Sequence, residues 1–327
     1  MKAVVFRKYG SPDALQLEEV EKPVPKDDEV LIEVHASSVN DWDWQMLRGI
    51  PFVNRMMAGL FKPSKIMILG CDVSGRVEAV GKNVTKFKPG DEVLGDISQH
   101  RFGGFAEYVC AGDKSLRLKP EGMSFEQAAA LPQAAALAVQ GFRDITAIKP
   151  GQKILINGAG GGAGSFAVQI AKALGAEVTG VDSTVKLESM SQNGADHVMD
   201  YTKEEFTENG ERYDLIQDNA AHHSFFHSRR SLNSGGTYAM LGGPNSRIFQ
   251  MMLLGPLTSM FGSKKMGLMI LKQNKNTDFY LELFKAGKVA PLIDKTYPLS
   301  ETVEAFRYFG KSLQCGKIVI SVKDAAD

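Results

Sequence analysis

The sequence has few of the residues from which covalent or metal-linked frameworks are built. Its 327 residues include only three cysteines, Cys71, Cys110 and Cys315, which are far apart and form neither a CxxC pair nor another metal-binding spacing. Three distant cysteines are typical of a protein in a reducing compartment rather than of a disulfide-linked secreted protein. They therefore predict a cytoplasmic location.

An excess of charge and a long apolar run are also missing. Lys plus Arg and Asp plus Glu both number 38, so the net charge favours neither nucleic acid nor an acidic membrane surface as a partner. The most apolar stretch, Ile248–Ile270, is interrupted by Pro256 and by the Lys264–Lys265 pair. It is too broken to supply the roughly 18 apolar residues of a membrane span. The N-terminal residues also lack the apolar region of a signal peptide.

What is present begins with a β-rich first third. The length predicts two domains, and 43% hydrophobic with 23% charged residues is an ordinary globular composition. Short β-prone runs separated by turn residues predict a compact barrel-like domain. The predicted strands are Ala3–Phe6, Leu15–Glu19, Glu29–Ser38, Val73–Val80, Glu92–Gly95 and Ala106–Cys110.

After Pro120 the pattern changes to alternating strands and helices. Ser124 and Gln127 form a capping box for a helix through Leu131, and a second helix is predicted at about Gln133–Ile145. Continuous apolar runs then predict parallel strands buried on both faces. These strands are Lys153–Asn157, Glu177–Val181, His197–Met199, Leu215–Asp218 and Thr237–Leu241. The tail adds predicted helices Phe279–Ala286 and Ser300–Tyr308 and a strand at Gly316–Val322.

A glycine-rich loop lies between the first of these parallel strands and a helix. It contains Gly158, Gly160, Gly161, Gly162, Ala163 and Gly164. Without side chains the backbone can turn tightly and approach a pyrophosphate, which the free N–H groups and partial positive charge of the helix start would hold. Asp182 ends the second strand, near the position that contacts the ribose. The loop therefore predicts dinucleotide binding.

The chain resembles the zinc-free quinone oxidoreductase branch of the medium-chain dehydrogenase/reductase family. The resemblance covers essentially the full length and rests on the glycine loop and on the segments Ser38–Trp44, Leu69–Gly75, Val80–Gly81, Lys88–Val93, Gly103–Val109, Ala195–Tyr201, Pro291–Asp294 and Gly316–Ile320. It implies an α/β fold, in which a GroES-like β-barrel substrate domain accompanies a Rossmann domain with a doubly wound parallel sheet. The expected boundaries are 1–122 for the substrate domain, 123–275 for the Rossmann domain and 276–327 for a return to the substrate domain. We also expect a homodimer.

The resemblance argues against zinc. Asn40 stands where zinc-containing members have their first cysteine, Gly70–Asp72 stands where they have Gly-His-Glu, and no second cysteine occurs around Gln133. A catalytic zinc needs three protein ligands. The four cysteines of the structural zinc lobe are missing between Asp91 and Val109.

Three histidines form a second metal candidate. His223 and His227 have the spacing of a shared helical face, but no acidic residue is their neighbour in sequence. We interpret the segment as a polar loop that leads into a helix, where His222 can approach the cofactor.

The signals for NADP(H) and NAD(H) conflict. Asp182 can accept hydrogen bonds from a ribose 2′-OH and would repel a 2′-phosphate, whereas Ser183 and Thr184 offer hydroxyl donors and Lys186 offers positive charge. The resemblance implies that Lys186 and Tyr201 bind the phosphate. We therefore predict NADP(H), with NAD(H) as the alternative. Lys186 as a solvated helix charge and Tyr201 as a packing residue also remain open.

The sequence defines the substrate and nicotinamide side of the site less clearly than the glycine loop. By resemblance, Asn40 and Asp43 lie on the substrate side, although Asp43 is equally suited to capping a loop. Asn219, Gly242 and Gly243 follow the fourth and fifth parallel strands and should border the nicotinamide. The Met-rich segment 246–275 is interpreted as core or interface, with a pliable lid as the alternative.

The predicted reaction is hydride transfer from NAD(P)H to a small molecule. Without zinc to polarise a simple ketone, a quinone or an α,β-unsaturated carbonyl is the expected acceptor. No proton donor is evident in the sequence. The alternative function is that of a non-catalytic, nucleotide-binding redox sensor or regulatory protein.

Overall fold

The computed structural model describes residues 1–100, 102–143 and 146–323, which divide into two compact units. Unit 1 contains Met1–Gln133, Gln273–Thr277 and the chain from Pro291 onward, and unit 2 contains Ala134–Lys272 and Asp278–Ala290. The boundaries expected after residues 122 and 275 do not coincide with this division. The helix capped by Ser124 packs on the strands of unit 1, so unit 1 extends past residue 122.

The elements run as follows. The strands are β1 (Lys2–Phe6), β2 (Leu15–Glu19), β3 (Glu29–Val39), β4 (Asp72–Val80), β5 (Glu92–Asp96), β6 (Tyr108–Gly112), β7 (Arg117–Leu118), β8 (Lys153–Asn157), β9 (Glu177–Asp182), β10 (His197–Asp200), β11 (Tyr213–Asp218), β12 (Leu232–Met240), β13 (Lys265–Leu268), β14 (Ile293–Pro298) and β15 (Lys317–Ser321). The helices are α1 (Asp41–Arg48), α2 (Phe52–Ala58), α3 (Phe125–Ala130), α4 (Pro132–Arg143), α5 (Gly162–Ala173), α6 (Leu187–Gln192), α7 (Phe225–Arg230), α8 (Asn245–Phe261), α9 (Thr277–Lys285) and α10 (Thr302–Phe309).

Unit 1 is organised around the long strand β3. One edge of β3 pairs with β4, and its other edge pairs with β6 over its first half and with β15 over its last residues. Register shifts between Leu31 and Ile32 and between Val34 and Ala36 mark irregularities in its pairing with β4. Bulges of this kind bend a strand, which suits a curved, barrel-like sheet. The sheet order β14-β15-β3-β4-β5-β7 therefore joins the two ends of the chain.

Unit 2 contains a six-stranded sheet in which every neighbouring pair is parallel, in the order β10-β9-β8-β11-β12-β13. This is the doubly wound arrangement expected from the sequence. The strand order reverses between β8 and β11, and in such sheets ligands bind outside the carboxyl ends of the strands at that point.

Several predicted bounds need correction. The strand predicted at Ala106–Cys110 lies at Tyr108–Gly112, and the strand predicted from Thr237 already begins at Leu232, because the Gly235–Gly236 pair lies within the strand rather than in a turn before it. The helix predicted at Gln133–Ile145 runs from Pro132 to Arg143, and residues 144 and 145 lie outside the described residues.

The sequence analysis also missed whole elements. Helices α1 and α2, strand β14 and strand β13 had no prediction. The Met-rich segment 246–275 also contains elements that the sequence analysis did not predict. It forms α8, which continues through Pro256, and the edge strand β13. Among the described residues, no helix has both the length and the apolar character needed to cross a membrane.

Candidate functional site

The glycine loop connects β8 to α5 through a tight turn. Gly158 has a φ of +77°, in the left-handed region that favours glycine. A Cβ atom on Gly164 would lie 2.0 Å from the carbonyl oxygen of Gly158, so α5 can pack against the turn only with glycine at this position. These two glycines are therefore needed by the protein itself.

Gly161 differs because the protein leaves space beside it. It precedes the first turn of α5, and a Cβ atom there would meet only the Gly158 carbonyl oxygen, at 3.6 Å. The first N–H groups of a helix have no acceptor within the helix and attract anions. The open space at Gly161 together with the start of α5 at Gly162, Ala163 and Gly164 fits a bound pyrophosphate.

Asp182 and Lys186 form a buried pair behind the loop. One Asp182 carboxylate oxygen, Oδ2, accepts a hydrogen bond from the Gly160 N–H at 3.0 Å. The other, Oδ1, accepts one from the Ser183 N–H at 2.8 Å and lies 3.4 Å from Lys186 Nζ. Lys186 is only 5% exposed, and a Cβ on Gly160 would lie 2.7 Å from its Cδ atom. Lys186 is therefore not the solvated helix charge that the sequence left open.

In the neighbouring turn, Thr184 is hydrogen-bonded to a second carboxylate, that of Asp200. The Thr184 hydroxyl donates to Asp200 Oδ2 at 2.5 Å, and this bond, with that from Thr202, lowers the pKa of Asp200. Thr184 is thus already donating its hydroxyl proton within the protein. Lys203 pairs with the same carboxylate at 3.2 Å while most of its side chain is exposed.

Tyr201 lies beside this turn and is largely exposed. Its backbone N–H donates to the carbonyl oxygen of Asp182 at 3.2 Å, so it borders the same strand end. Its side chain is 53% exposed, which argues against the packing role left open by the sequence.

The loops after β11 and β12 meet at the same edge of the sheet. Asn219 donates from Nδ2 to the Asn157 carbonyl oxygen at 2.9 Å, and a Cβ on Gly158 would lie 3.3 Å from Asn219 Cβ. The carbonyl oxygen of Gly242 accepts from the Ala221 N–H at 3.0 Å. Gly243 has a φ of +152°, and a Cβ there would lie 2.7 Å from the Ala221 carbonyl oxygen. These predicted residues therefore cluster around the point where the strand order reverses.

Asp218, which the sequence analysis did not name as a site residue, stabilises this edge of the sheet through buried hydrogen bonds. It accepts hydrogen bonds from Asn157 Nδ2 at 2.8 Å, from the Tyr238 hydroxyl at 2.6 Å and from the Ala220 N–H at 3.1 Å. Burial raises its pKa. The sequence signal that could have identified Asp218 is an acidic residue at the end of a buried strand. Its hydrogen bonds hold the ends of β8 and β11 in place.

In unit 1, Asn40 and Asp43 belong to a buried polar cluster. They form a capping box at the start of α1, in which the Asn40 N–H donates to Asp43 Oδ2 at 3.0 Å. Asp43 Oδ1 also accepts from the Gly70 N–H at 2.8 Å and from the Cys71 thiol at 3.4 Å. Burial raises the pKa of Asp43 to about 6. Asp43 thus caps a helix rather than the loop that the sequence analysis considered, and both of its carboxylate oxygens accept hydrogen bonds within the protein.

Lys317 supplies the cation of this cluster. It is 3% exposed, and its Nζ donates to Asn40 Oδ1 at 2.5 Å and lies 3.7 Å from Asp72 Oδ2. Asp72 also accepts from Asn40 Nδ2 at 3.0 Å, from the Ser38 hydroxyl at 3.2 Å and from the Gln133 N–H at 3.1 Å. The sequence analysis included Lys317 only as part of the segment Gly316–Ile320, because no local pattern indicates that a lysine within a strand faces two distant polar residues.

The donor set of this cluster does not suit zinc. Asp72, which stands near the expected metal position, is already bonded to Ser38, Asn40 and Gln133, and an ammonium group faces it. Burial and the nearby carboxylates raise the pKa of Cys71 well above its ordinary value, which disfavours the thiolate that zinc binds. Over residues 1–100, 102–143 and 146–323 there is no group of three His, Cys, Asp or Glu residues able to hold a metal ion.

The histidine segment departs from its prediction in one respect. Helix α7 begins at Phe225, so His223 lies before it and does not share a helical face with His227. An acid does accompany His223, since Glu205 lies 3.3 Å away although it is distant in sequence. The backbone carbonyl of His222 accepts from Arg247, which ties this loop to α8.

Comparisons with known proteins agree with this geometry. Residues 26–121 match the family model described as alcohol dehydrogenase GroES-like domain, and residues 193–320 match the model described as zinc-binding dehydrogenase. The chain is 35% identical to 2-methylene-furan-3-one reductase of Solanum lycopersicum over 98% of its length and 79% of that protein. It is 33% identical to the chloroplast envelope quinone oxidoreductase homolog of Arabidopsis thaliana, over 98% of both proteins.

A solved structure matches nearly the whole chain. The quinone oxidoreductase from Coxiella burnetii matches with a TM-score of 0.87 and 28% identity, over 99% of each chain. The full-length relatives at 30% identity or more, together with the GroES-like and parallel-sheet units, establish the family. The chain belongs to the quinone oxidoreductase branch of the medium-chain dehydrogenase/reductase family and is an NAD(P)H-dependent oxidoreductase.

Proposed function

We propose that this enzyme uses NADPH to reduce a quinone or an α,β-unsaturated carbonyl compound, without zinc. The observation that carries the proposal is the open space beside Gly161 at the start of α5, at the edge where the parallel sheet reverses its strand order. The cofactor would lie there and supply the hydride. Gly158, Gly160, Gly161, Gly162, Ala163 and Gly164 would hold its pyrophosphate, and Asn219, Gly242 and Gly243 would border the nicotinamide.

The buried Asp182–Lys186 pair supports NADPH over NADH. Both carboxylate oxygens of Asp182 already accept hydrogen bonds from backbone N–H groups, which leaves it less capacity to accept from a ribose 2′-OH, and Lys186 offsets the negative charge that would repel a 2′-phosphate. Tyr201 and Lys203 are the exposed groups at this strand end that could contact the phosphate, and Ser183 offers a further hydroxyl.

The Lys317 cluster supports a reaction without zinc and with a conjugated acceptor. A ketone reductase of this family type needs a metal to polarise the carbonyl, and here the ammonium of Lys317 faces the acid that stands near the metal position. A quinone or an enone can delocalise the incoming electrons through its own conjugated system. The relative from Solanum lycopersicum is named for an enone, 2-methylene-furan-3-one, and the relative from Arabidopsis thaliana for a quinone.

Asn40 and Asp43 would act as positioning residues in this proposal. Their polar atoms are used within the cluster, where they fix the end of β3 against the start of α1. They would shape the substrate side without transferring the proton themselves.

A homodimer and a cytoplasmic location complete the proposal. Strand β13 is an edge of the sheet, and α8 beside it exposes Phe249, Met252, Leu253, Leu257 and Met260. Unpaired strand edges and exposed apolar patches favour association with a second copy. Among the described residues, Cys71, Cys110 and Cys315 form no disulfide bond, which supports a reducing compartment.

Oxidation of NADPH and of NADH against a panel of quinones and enones tests the function. We expect faster oxidation of NADPH with conjugated acceptors, little with saturated ketones, and no change after chelation of metals. Elemental analysis of the purified protein is the companion measurement. Cofactor binding without oxidation by any acceptor would favour a regulatory protein, and one zinc per chain, lost together with activity, would contradict the zinc-free reaction.

A further inference from the structure

The segment that follows α1 in unit 1 turns its large apolar side chains outward. The exposed apolar residues of this segment are Ile50, Phe52, Val53, Met56, Met57, Leu60, Phe61 and Met67. Phe61 is 89% exposed and Phe52 is 63% exposed. Scattered exposed apolar residues are ordinary, but eight within 18 residues form a concentration that calls for an explanation.

The orientation of α2 and the hydrogen bonds around it account for this exposure. The buried positions of α2 are Asn54 and Ala58, one helical turn apart, so its larger apolar residues occupy the outer surface. Asn54 Nδ2 donates to the Ile50 carbonyl oxygen at 3.1 Å, and the Tyr9 hydroxyl donates to the Gly59 carbonyl oxygen at 2.5 Å. The N–H of Lys65 donates to the Ala58 carbonyl oxygen at 2.9 Å, which folds the following loop back onto the helix end. These hydrogen bonds therefore keep the apolar side chains of the segment at the surface.

The charge of the segment has a single sign. Between Trp44 and Cys71 the sequence contains Arg48, Arg55, Lys62 and Lys65 and no acidic residue, although the whole chain has no net charge. Lys62 and Lys65 are exposed on either side of Pro63, next to Phe61. Within the part of the chain that the structure describes, neither lysine has an ion pair. The segment thus combines outward apolar groups with uncompensated positive charge.

This combination suits an anionic lipid surface better than other occupants. A symmetric contact with a second copy brings the same patch together twice and would oppose the lysines to each other, whereas the α8 face has only Arg247 along its length. A small-molecule site is concave, and a phenylalanine that is 89% exposed does not line a pocket. Interfacial segments that insert apolar side chains at the headgroup boundary while Lys and Arg meet anionic headgroups have this composition.

We propose that residues 48–67 form a peripheral contact with membranes that contain anionic phospholipids. Phe52, Met56 and Phe61 enter the boundary between headgroups and acyl chains, and Lys62 and Lys65 face the lipid phosphates. The protein lies on the surface and does not span the bilayer. The proposal does not depend on the reductase reaction, because it concerns a surface and is tested without substrate.

Vesicle flotation of the full chain tests the contact. The probes are vesicles of phosphatidylcholine with phosphatidylglycerol and vesicles of phosphatidylcholine alone, each at low and high salt. We expect binding to the anionic vesicles that weakens with salt. Lys62→Glu with Lys65→Glu should reduce partitioning at least about 25-fold, since each basic residue near an anionic surface contributes roughly fivefold. Phe61→Glu should reduce it about tenfold or more, because an apolar insertion is lost.

Matched variants separate the patch from general charge effects. Lys88→Glu with Lys114→Glu changes the net charge equally at exposed lysines elsewhere, and Val24→Glu places a carboxylate at another highly exposed apolar position between lysines. Both should bind like the wild type. The proposal is wrong if the wild type does not bind anionic vesicles or if patch and control variants lose binding equally. It is also wrong if Phe61→Glu only dissociates a dimer or only raises the KM of an apolar substrate.

Discussion

At the residue scale, two glycines of the same loop have opposite reasons for being glycine. A Cβ on Gly164 would collide with the Gly158 carbonyl oxygen at 2.0 Å, whereas a Cβ on Gly161 would make one ordinary contact at 3.6 Å. Gly164 is therefore required for folding. The space at Gly161 is available to a ligand instead.

Gly161→Val should consequently abolish cofactor binding in a protein that still folds. The valine methyl groups would occupy the volume assigned to the pyrophosphate. Titration of cofactor fluorescence, together with circular dichroism, checks both halves of the expectation. Gly164→Ala is the contrasting variant and should lower the melting temperature strongly. Undiminished cofactor affinity in folded Gly161→Val would place the pyrophosphate elsewhere.

Lys186→Met separates charge from packing in the cofactor preference. Methionine keeps an aliphatic chain against Gly160 and removes the ammonium that faces Asp182. We expect NADPH binding to weaken roughly tenfold to a hundredfold more than NADH binding, since the negative charge of Asp182 would then face the 2′-phosphate without its cation. Lys203→Met is the matched variant at the exposed lysine. Dissociation constants for both cofactors distinguish the two lysines, and equal losses for NADPH and NADH would remove Lys186 from the phosphate site.

At the scale of elements, Lys317 connects strands from distant parts of the chain. It lies on β15, Asp72 begins β4, and Asn40 lies between β3 and α1. A buried charge that loses its partner typically costs about 3–5 kcal/mol, far more than an exposed ion pair contributes. The cluster should therefore behave as a cross-link within unit 1.

Lys317→Met should lower the free energy of unfolding by about 3–5 kcal/mol, because buried Asp72 would lose the cation that faces it. Adding Asp72→Asn should recover part of the loss. Urea unfolding measures both, and Lys22→Met, which breaks the exposed Lys22–Glu78 pair, is the control and should change stability by less than about 1 kcal/mol. Equal effects of Lys317→Met and Lys22→Met would show that the cluster does not cross-link the unit.

The elements predicted well from sequence are those whose pattern is local. The parallel strands of unit 2 have continuous apolar runs, and Ser124 with Gln127 forms the capping box that the spacing indicated. Helix α2 was missed because it reverses the usual pattern, with Asn54 inside and Phe52 outside. Strand β13 was missed because four residues carry almost no periodicity.

The candidate site divides in the same way. The glycine loop and Asp182 follow from strand, turn and helix signals along one segment. The Asp182–Lys186 pair, the network of Asp218 and the position of Lys317 depend on contacts between segments, some of them hundreds of residues apart. No local pattern encodes those contacts.

At the scale of the whole molecule, the chain has no net charge but exposes two apolar surfaces that differ in local charge. One combines apolar residues with lysines at residues 48–67, and the other is the nearly uncharged outer face of α8. Only the second can meet a copy of itself without opposing like charges. The two surfaces are therefore expected to serve different contacts.

Leu253→Glu should convert the proposed homodimer to a monomer. Two glutamates brought together at a symmetric interface repel and lose apolar burial. Light scattering after size exclusion measures the mass, and Leu118→Glu, at a similarly exposed leucine in β7, should leave the dimer intact. A dimer that persists in Leu253→Glu would assign the interface to another face.

The joining of both chain ends in one sheet has a consequence during synthesis on the ribosome. All six strands of unit 2 lie between Lys153 and Leu268, so its sheet can form before the C-terminal residues emerge. Strand β15 pairs with β3, and until residue 321 leaves the exit tunnel, the last residues of β3 have an open edge and Asp72 lacks its lysine. The sheet of unit 2 can therefore be complete before β3 of unit 1 gains its last partner, and until then chaperones can bind the open edge of β3.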